Sequence, residues 1–345
     1  MKALRLTRWG KPAELCETTV PEPRPGEVLV KIGGAGACHS DLHLMDWPEG
    51  LLPWPVPFTL GHENAGWIHE VGAGVTAVRK RDPVVVYGPW GCGTCRPCRL
   101  GRENYCERAG EIGVAGGGLG RDGGMAEYML VPSARLVIPI GDLDPALAAP
   151  LADAALTPYH AIAKSRALLH PGAATVVIGA GGLGQMAIQL LKLTTGARVI
   201  AVDTNERKLE LARGLGADVV IRSDAGAAEA IRRATDGVGA ELVLDVVGSE
   251  ATLVMGAKVL RCEGRLVILG LAGGSFATSF FALPYGAEIA TSYWGTVTEL
   301  IELVALGRAG RLRLDVERFS LDEAPEVYER LRRGEIRGRA VMVPG

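Results

Sequence analysis

A chain of 345 residues is long enough for two domains with separate cores, and its formal charge of −2 at pH 7 argues against a nucleic-acid partner. The first residues do not resemble a secretory signal and no apolar run reaches the length of a membrane span, so we expect a cytoplasmic protein without membrane contact. In that reducing compartment, seven cysteines with four of them close together indicate metal binding rather than disulfides.

The first 150 residues are rich in glycine and proline, with short apolar runs between the turn signals. These runs are GEVLVKI, GWIHEVG, DPVVVY and AEYMLVP. They predict an irregular, β-rich domain. The stretch GVAGGGLGRDGG, residues 113–124, follows no buried strand and opens no helix, so it predicts a mobile loop rather than a phosphate cradle.

From about Thr175 the pattern changes, because apolar strands such as TVVIGA, ARVIAVD and ELVLDVVG alternate with amphipathic helices. This alternation predicts βαβ units around a parallel sheet. After about Phe281 it stops, and the ending VYERLRRGEIRGRAVMVPG predicts a helix and a strand that rejoin the first domain. The predicted fold class is therefore α/β, with a β-rich domain over residues 1–150 and 286–345 and a doubly wound parallel sheet over residues 151–285.

A dinucleotide site is predicted where the strand TVVI runs into a glycine-rich turn and then into an apolar-faced helix. The turn consists of Gly179, Gly181, Gly182, Leu183 and Gly184. Its three pattern glycines permit a tight turn, close approach of backbone N–H groups to a pyrophosphate, and close packing of helix on strand. The next strand ends at Asp203, whose carboxylate can bind both ribose hydroxyls and would repel a 2′-phosphate, which favours NAD over NADP. Lys208 could reach the same ribose, and a solvated helix lysine is the equal alternative.

Four cysteines follow one another with the spacing C-x2-C-x2-C-x7-C. They are Cys92, Cys95, Cys98 and Cys106. Short loops of this length can wrap four thiolates around one tetrahedral zinc. An iron–sulfur cluster is the chemical competitor, but the last interval differs from the usual ferredoxin spacings and no proline follows the fourth cysteine. Four thiolates leave zinc no open position, so we predict a structural site.

Catalysis must therefore be sought at other residues, and GACHSDLH and TLGHENAGW offer the zinc-binding side chains of Cys38 and His62. Taken singly, Cys38 is as well explained as a buried core thiol and His62 as a hydrogen-bonded loop histidine. Their combination with a dinucleotide fold favours metal binding.

The pairing of CHSD with GHE, the four-cysteine segment, and GAGGLG followed by an aspartate after the second strand together resemble the zinc-dependent medium-chain alcohol dehydrogenases. The resemblance covers essentially the whole chain in the same order. It implies a GroES-like catalytic domain with a structural zinc lobe at about residues 91–110, an inserted Rossmann domain that binds NAD, and an active site in the cleft between them.

The resemblance also implies the ligands of a catalytic zinc. Cys38 and His62 match two of them, whereas the third ligand of the best-known members is a cysteine. Here the matching stretch, PLADAALTPYH, contains no cysteine and offers Asp153. A carboxylate oxygen is a competent zinc ligand, and a fourth position is left for water or substrate. Glu63 matches a carboxylate near the metal, either a partner of the ligands or a transient ligand.

Further roles follow from the same resemblance. Ser40 matches the hydroxyl that accepts the substrate's proton, His43 the solvent end of the proton relay, and Asp41 the carboxylate that holds the other nitrogen of His62. For the cofactor, the matching residues are His39 and Arg339 at the pyrophosphate and Thr157 at the nicotinamide. The candidates for an apolar substrate wall are Trp54, Tyr293 and Trp294, for which ordinary packing is the equal alternative. A surface histidine is the alternative for His39 and His43.

The implied protein is an NAD-dependent alcohol dehydrogenase with two zinc ions per subunit, one catalytic and one structural. Apolar residues in LMDWPEGLLPWPVPF favour an apolar, secondary alcohol of broad scope over a polyol, although a polyol dehydrogenase remains the alternative. A zinc-containing binding protein would need neither the open metal site nor the ribose carboxylate, and a zinc-free quinone reductase would lack both cysteine-containing sites. Family members of this length imply a homotetramer, with a dimer as the alternative.

Overall fold

The computed structural model describes all 345 residues. The strands are β1 (Lys2–Leu6), β2 (Glu14–Glu17), β3 (Val28–Gly36), β4 (Phe58–Thr59), β5 (Glu63–Val71), β6 (Pro83–Val86), β7 (Gly116–Gly117), β8 (Gly120–Arg121), β9 (Tyr128–Val131), β10 (Val137–Pro139), β11 (Ala174–Ile178), β12 (Arg198–Asp203), β13 (Val219–Arg222), β14 (Ala240–Asp245), β15 (Leu260–Ile268), β16 (Glu288–Thr291), β17 (Val316–Phe319) and β18 (Arg339–Met342).

The helices are α1 (His39–Asp46), α2 (Arg96–Arg99), α3 (Ala109–Ile112), α4 (Pro145–Ala148), α5 (Leu156–Lys164), α6 (Gly182–Thr194), α7 (Glu206–Gly214), α8 (Ala227–Ala234), α9 (Glu250–Val259), α10 (Val297–Arg308) and α11 (Ala324–Arg332). Short 3₁₀ turns lie at Glu103–Tyr105, Ala134–Leu136, Ala149–Ala152, Arg166–Leu168 and Leu321–Glu323. No helix has the length and apolar character that crossing a membrane requires.

The chain forms two compact units. Unit 1 comprises Met1–Leu156 and Trp294–Gly345, and unit 2 comprises Thr157–Tyr293. In unit 1 the main sheet has the strand order β10-β6-β5-β3-β18-β17, and β9 also pairs with β3. A smaller sheet has the order β2-β1-β4. Strand β18 pairs antiparallel with β3, so the end of the chain completes the sheet of the first unit.

Unit 2 is built on a six-stranded sheet with the order β13-β12-β11-β14-β15-β16, in which every neighbouring pair is parallel. Its central strands carry almost uninterrupted apolar runs because both faces are covered, as in Val176, Ile200 and Val243, all fully buried. This order is that of a dinucleotide-binding sheet. The α/β fold class predicted from the sequence is confirmed.

The glycine stretch at residues 113–124 is largely irregular, as predicted, but it is packed rather than projecting. Most of its glycines are buried, and β7 and β8 pair within it. A Cβ added at Gly118 would lie 2.4 Å from the carbonyl oxygen of Gly61, and one at Gly124 would lie 2.0 Å from the side-chain oxygen of Asn64. The glycines are therefore required by close backbone approach, which a local sequence pattern does not reveal.

We expect the substitution Gly184→Ala to destabilise unit 2, although alanine is the better helix former by about 1 kcal/mol. The new Cβ would lie 1.8 Å from the carbonyl oxygen of Gly179. Overpacking of this kind costs about 1–3 kcal/mol, which urea denaturation would measure. Gly214→Ala is the matched control, because no heavy atom lies within 4 Å of its added Cβ. Equal effects of the two substitutions would contradict the close packing.

Candidate functional site

The four cysteines of the lobe bring their sulfur atoms together without forming a disulfide. The sulfurs of Cys92 and Cys98 are 4.0 Å apart, those of Cys95 and Cys106 are 3.9 Å apart, and all four lie within 4.8 Å of one another. A tetrahedral zinc with Zn–S bonds of about 2.3 Å separates its sulfurs by about 3.8 Å. The donor set and its spacing therefore fit one zinc ion.

The surroundings of the four thiols differ, because burial raises the pKa of the Cys98 thiol whereas hydrogen bonds favour the thiolate form of Cys92. The sulfur of Cys92 accepts hydrogen bonds from the hydroxyl and backbone N–H of Thr94 and from the backbone N–H of Cys95. These bonds lower the pKa of the Cys92 thiol to about 5, so its thiolate form is favoured. Arg135, from outside the lobe, pairs with the buried Glu103 and donates to the carbonyl of Gly91 at 3.0 Å. The sequence reasoning missed these contacts.

A second group of metal-binding side chains lies elsewhere in unit 1. Cys38 directly precedes α1, His62 directly precedes β5, and Asp153 follows the turn at Ala149–Ala152. Asp153 Oδ2 lies 3.9 Å from Cys38 Sγ and 3.5 Å from His62 Nε2. A tetrahedral zinc with ordinary bond lengths requires about 3.6 Å and 3.4 Å for these pairs. The three donors fit a zinc that keeps its fourth position open.

The ring of His62 has a polar neighbour at each nitrogen. Its Nδ1 lies 3.2 Å from Asp41 Oδ1, although the N–H is not well aligned, and its Nε2 lies 3.2 Å from the hydroxyl of Ser40. Burial lowers the pKa of His62, but the carboxylates of Asp41 and Asp153 outweigh it and hold that pKa well above its usual value. With Asp41 at Nδ1, Nε2 is the nitrogen available to a metal.

Glu63 and Arg339 form a buried ion pair beside this group. Arg339 donates from Nε to Oε2 at 2.8 Å and from Nη2 to Oε1 at 2.6 Å, and the backbone N–H of Ala154 also donates to Oε1. Burial raises the pKa of Glu63 to about 6 against the opposing charge of Arg339. The sequence assigned Arg339 to a pyrophosphate and did not anticipate this pair. That cofactor role stays a prediction.

The remaining side chains predicted for unit 1 differ in burial. His39 is exposed at the start of α1, and His43 is half-buried and stacked on Trp47 with ring centroids 6.1 Å apart. Burial lowers the pKa of His43. Trp54 is half-buried with its ring 6.4 Å from that of Phe58. These contacts do not test the relay role of His43 or the substrate-wall role of Trp54, so both roles stay predictions.

Among the three aromatic residues predicted for the substrate wall, Trp294 has its ring against His62 of the metal-binding group. It is buried, its ring lies edge-on to His62 at 5.8 Å, and its Nε1 donates to the carbonyl of Ala152 at 2.8 Å. Ala152 precedes Asp153, so Trp294 helps to fix the turn that carries this carboxylate. Tyr293 belongs to unit 2, where it is 45% exposed.

The glycine-rich turn of unit 2 has the geometry that a dinucleotide needs. Gly179 has a φ of +96°, which side chains rarely adopt. A Cβ at Gly181 would point into open space, so the backbone there is free for approach by a pyrophosphate. Gly182 and Leu183 open α6, the helix whose N-terminus faces this turn. The residues present therefore fit the cofactor.

Asp203 lies at the end of β12, next to this turn. Its Oδ2 accepts from the backbone N–H of Ala180 at 2.7 Å, and its Oδ1 accepts from that of Asn205 at 2.8 Å. These bonds hold a carboxylate at the predicted ribose position. Lys208 is half-buried in the first turn of α7, and Thr157 is buried in α5.

Two family models match the chain. The alcohol dehydrogenase GroES-like domain matches residues 24–142, and the zinc-binding dehydrogenase model matches residues 182–307. The chain belongs to the zinc-dependent medium-chain alcohol dehydrogenase family, which confirms the resemblance found in the sequence.

Individual relatives cover nearly the whole chain. An NAD-dependent alcohol dehydrogenase of Sulfurisphaera tokodaii is 39% identical over 100% of both chains. A D-arabinose 1-dehydrogenase (NADP(+)) of Saccharolobus solfataricus is 36% identical over 99% of this chain and 97% of the relative. The crystal structure of the alcohol dehydrogenase from Aeropyrum pernix has a TM-score of 0.93 at 40% identity, with 100% of both chains covered.

We expect Arg339→Gln to lower the free energy of unfolding by about 3–5 kcal/mol, because it leaves the buried carboxylate of Glu63 without its charged partner. Arg333→Gln is the control, since Arg333 pairs with Glu335 on the surface and such pairs contribute about 0–1 kcal/mol. Urea denaturation of both variants measures the difference. Similar losses in the two variants would show that the buried pair is not ionised.

Proposed function

We propose that this chain is a zinc-containing, NAD-dependent alcohol dehydrogenase that interconverts apolar secondary alcohols and ketones. The observation that carries the proposal is the grouping of Cys38, His62 and Asp153, whose donor atoms lie within 4.8 Å of one another beside the hydroxyl of Ser40. Three protein ligands with an open fourth position are typical of catalytic rather than structural zinc. The family membership of the chain supports the same reaction class.

When bound, zinc supplies a Lewis acid at the substrate oxygen and NAD supplies the hydride acceptor. The chain's own residues orient the reactants and move the proton. Ser40 takes the proton of the substrate hydroxyl, and His43, one turn further along α1, passes it to solvent. Asp41 holds the tautomer of His62. Trp294 excludes water from one side of the His62 ring.

The cofactor preference rests on Asp203. Its anchored carboxylate can accept both ribose hydroxyls of NAD and would repel the 2′-phosphate of NADP. The relative from Sulfurisphaera tokodaii is named as NAD-dependent, which supports this preference. Lys208, His39, Thr157 and Arg339 complete the proposed cofactor contacts.

An apolar substrate is favoured by the aromatic character of the three residues that the sequence offers for a substrate wall, Trp54, Tyr293 and Trp294. An aldose or polyol is the second candidate, because the relative of 36% identity is a D-arabinose 1-dehydrogenase. The homotetramer implied by the family resemblance, with a dimer as its alternative, and the cytoplasmic location are part of the proposal.

Metal analysis tests the two zinc sites separately. We expect about two zinc ions per chain, and about one in both Asp153→Ala and Cys95→Ala. Asp153→Ala should abolish turnover and keep NADH binding, because the glycine-rich turn and Asp203 belong to unit 2. Cys95→Ala should lower the melting temperature far more, because the closed site stabilises folding.

Cys262→Ala is the control for the metal analysis, since this exposed cysteine belongs to neither group. It should keep both zinc ions. Two zinc ions in Asp153→Ala would remove Asp153 from the ligand set, and unchanged melting of Cys95→Ala would contradict the structural role of the lobe.

A coupled assay read by NADH or NADPH absorbance tests substrate and cofactor. We expect a higher kcat/KM for 2-pentanol than for 1-pentanol, sorbitol or D-arabinose. We also expect a higher kcat/KM with NAD than with NADP. In Asp203→Ala the preference for NAD should shrink by about tenfold or more, because the repulsion of the 2′-phosphate is removed. A higher kcat/KM for D-arabinose or sorbitol would instead establish the second candidate.

A further inference from the structure

Tyr328 makes a contact that the proposed mechanism does not use. It lies on α11 in the last part of unit 1, is only 4% exposed, and donates its hydroxyl to Asp41 Oδ2 at 2.9 Å. The sulfur of Met125 lies 3.0 Å from the same hydroxyl. Tyr328 and Asp41 are separated by 287 positions in the chain, so the contact exists only in the folded unit.

The carboxylate of Asp41 is fully buried, and its two oxygens have different tasks. Oδ2 accepts from Tyr328 and from the backbone N–H of Cys38, both at 2.9 Å. Oδ1 lies 3.2 Å from Nδ1 of His62. The terminal torsion of an aspartate has no sharp intrinsic preference, so the bonds to Oδ2 decide where Oδ1 points. The hydroxyl of Tyr328 therefore affects the partner of a proposed metal ligand.

Polar contacts join α1 to α11 beside a cavity. A cavity of about 180 Å³ lies between Leu42, Met45 and Asp46 of α1 and Pro325, Tyr328 and Arg332 of α11. Besides the contact from Tyr328, Arg332 bonds both carboxylate oxygens of Asp46, at 2.7 and 3.1 Å. That pair is exposed and therefore weak, whereas the bond from Tyr328 is buried.

We propose that Tyr328 is a positioning residue for the metal centre, whose hydroxyl, acting through Asp41, fixes the ring of His62 and thereby its metal-binding nitrogen. The inference rests on the proposed zinc at Cys38, His62 and Asp153. Burial and the charge of Asp41 raise the pKa of Tyr328 well above its usual value, so the phenol stays a donor. Groups that contact a metal ligand directly, as Asp41 does, change metal affinity by about 10–100-fold, and Tyr328 acts through this group.

The test compares zinc release to a chelator from the wild-type holoenzyme and from Tyr328→Phe, which removes only the hydroxyl. We expect the zinc of the Cys38 site to leave about tenfold faster or more, with the release of the lobe zinc unchanged. Tyr87→Phe is the matched control. It also loses a buried phenol bond, to the carbonyl of Gly295 at 2.5 Å, and should lower the melting temperature without changing either release rate.

A double-mutant cycle with Asp41→Asn shows whether the effect passes through Asp41. If it does, Tyr328→Phe adds little to the release rate once Asp41 is replaced. Full additivity, or wild-type release from Tyr328→Phe, would overturn the positioning role while leaving the proposed function intact. A wild-type protein that holds zinc only in the lobe would overturn the proposed catalytic zinc and this role with it.

Discussion

The buried ion pair between Glu63 and Arg339 is the interaction on which the arrangement of unit 1 depends. Two buried charges are tolerated only when each satisfies the other, and here the pair is bidentate. Gly36 lies against it so closely that a Cβ there would be 1.9 Å from Glu63 Oε2, and Ala154 donates its N–H to Oε1. The pair therefore joins the end of β3, the start of β5, the segment after Ala149–Ala152 and the start of β18.

Each proposed ligand of the open zinc site is next to a member of this network. His62 directly precedes Glu63, Asp153 directly precedes Ala154, and Cys38 follows Gly36 by two positions. One charged contact that contains none of the three ligands therefore lies next to each of them along the chain. Hydrogen bonds from Tyr328 and Cys38 hold one oxygen of Asp41, and its other oxygen lies 3.2 Å from Nδ1 of His62.

The two metal-binding groups differ in a way that separates their tasks. The four cysteines of the lobe lie in one short segment, so a bound ion would be enclosed by them and would cross-link only that segment. The other group draws three ligands from distant segments and leaves a position open. The first arrangement fits the proposed structural role and the second the proposed catalytic role. Thr94 and Arg135 contact the first group, and Asp41 and Ser40 lie beside His62 of the second.

The sequence by itself determined the features that are encoded within short stretches. The cysteine spacing, the strand, glycine turn and helix around Gly179, and the alternation of apolar strands with helices are local patterns, and they predicted the fold class and the family. The tertiary structure alone decided which distant side chains meet. Arg339 and Glu63 are 276 positions apart in the chain, and Tyr328 and Asp41 are 287 positions apart. No local sequence pattern predicts either contact. Such pairs are selected by burial, where a charge or a polar group must find a partner, and burial exists only once the chain has folded.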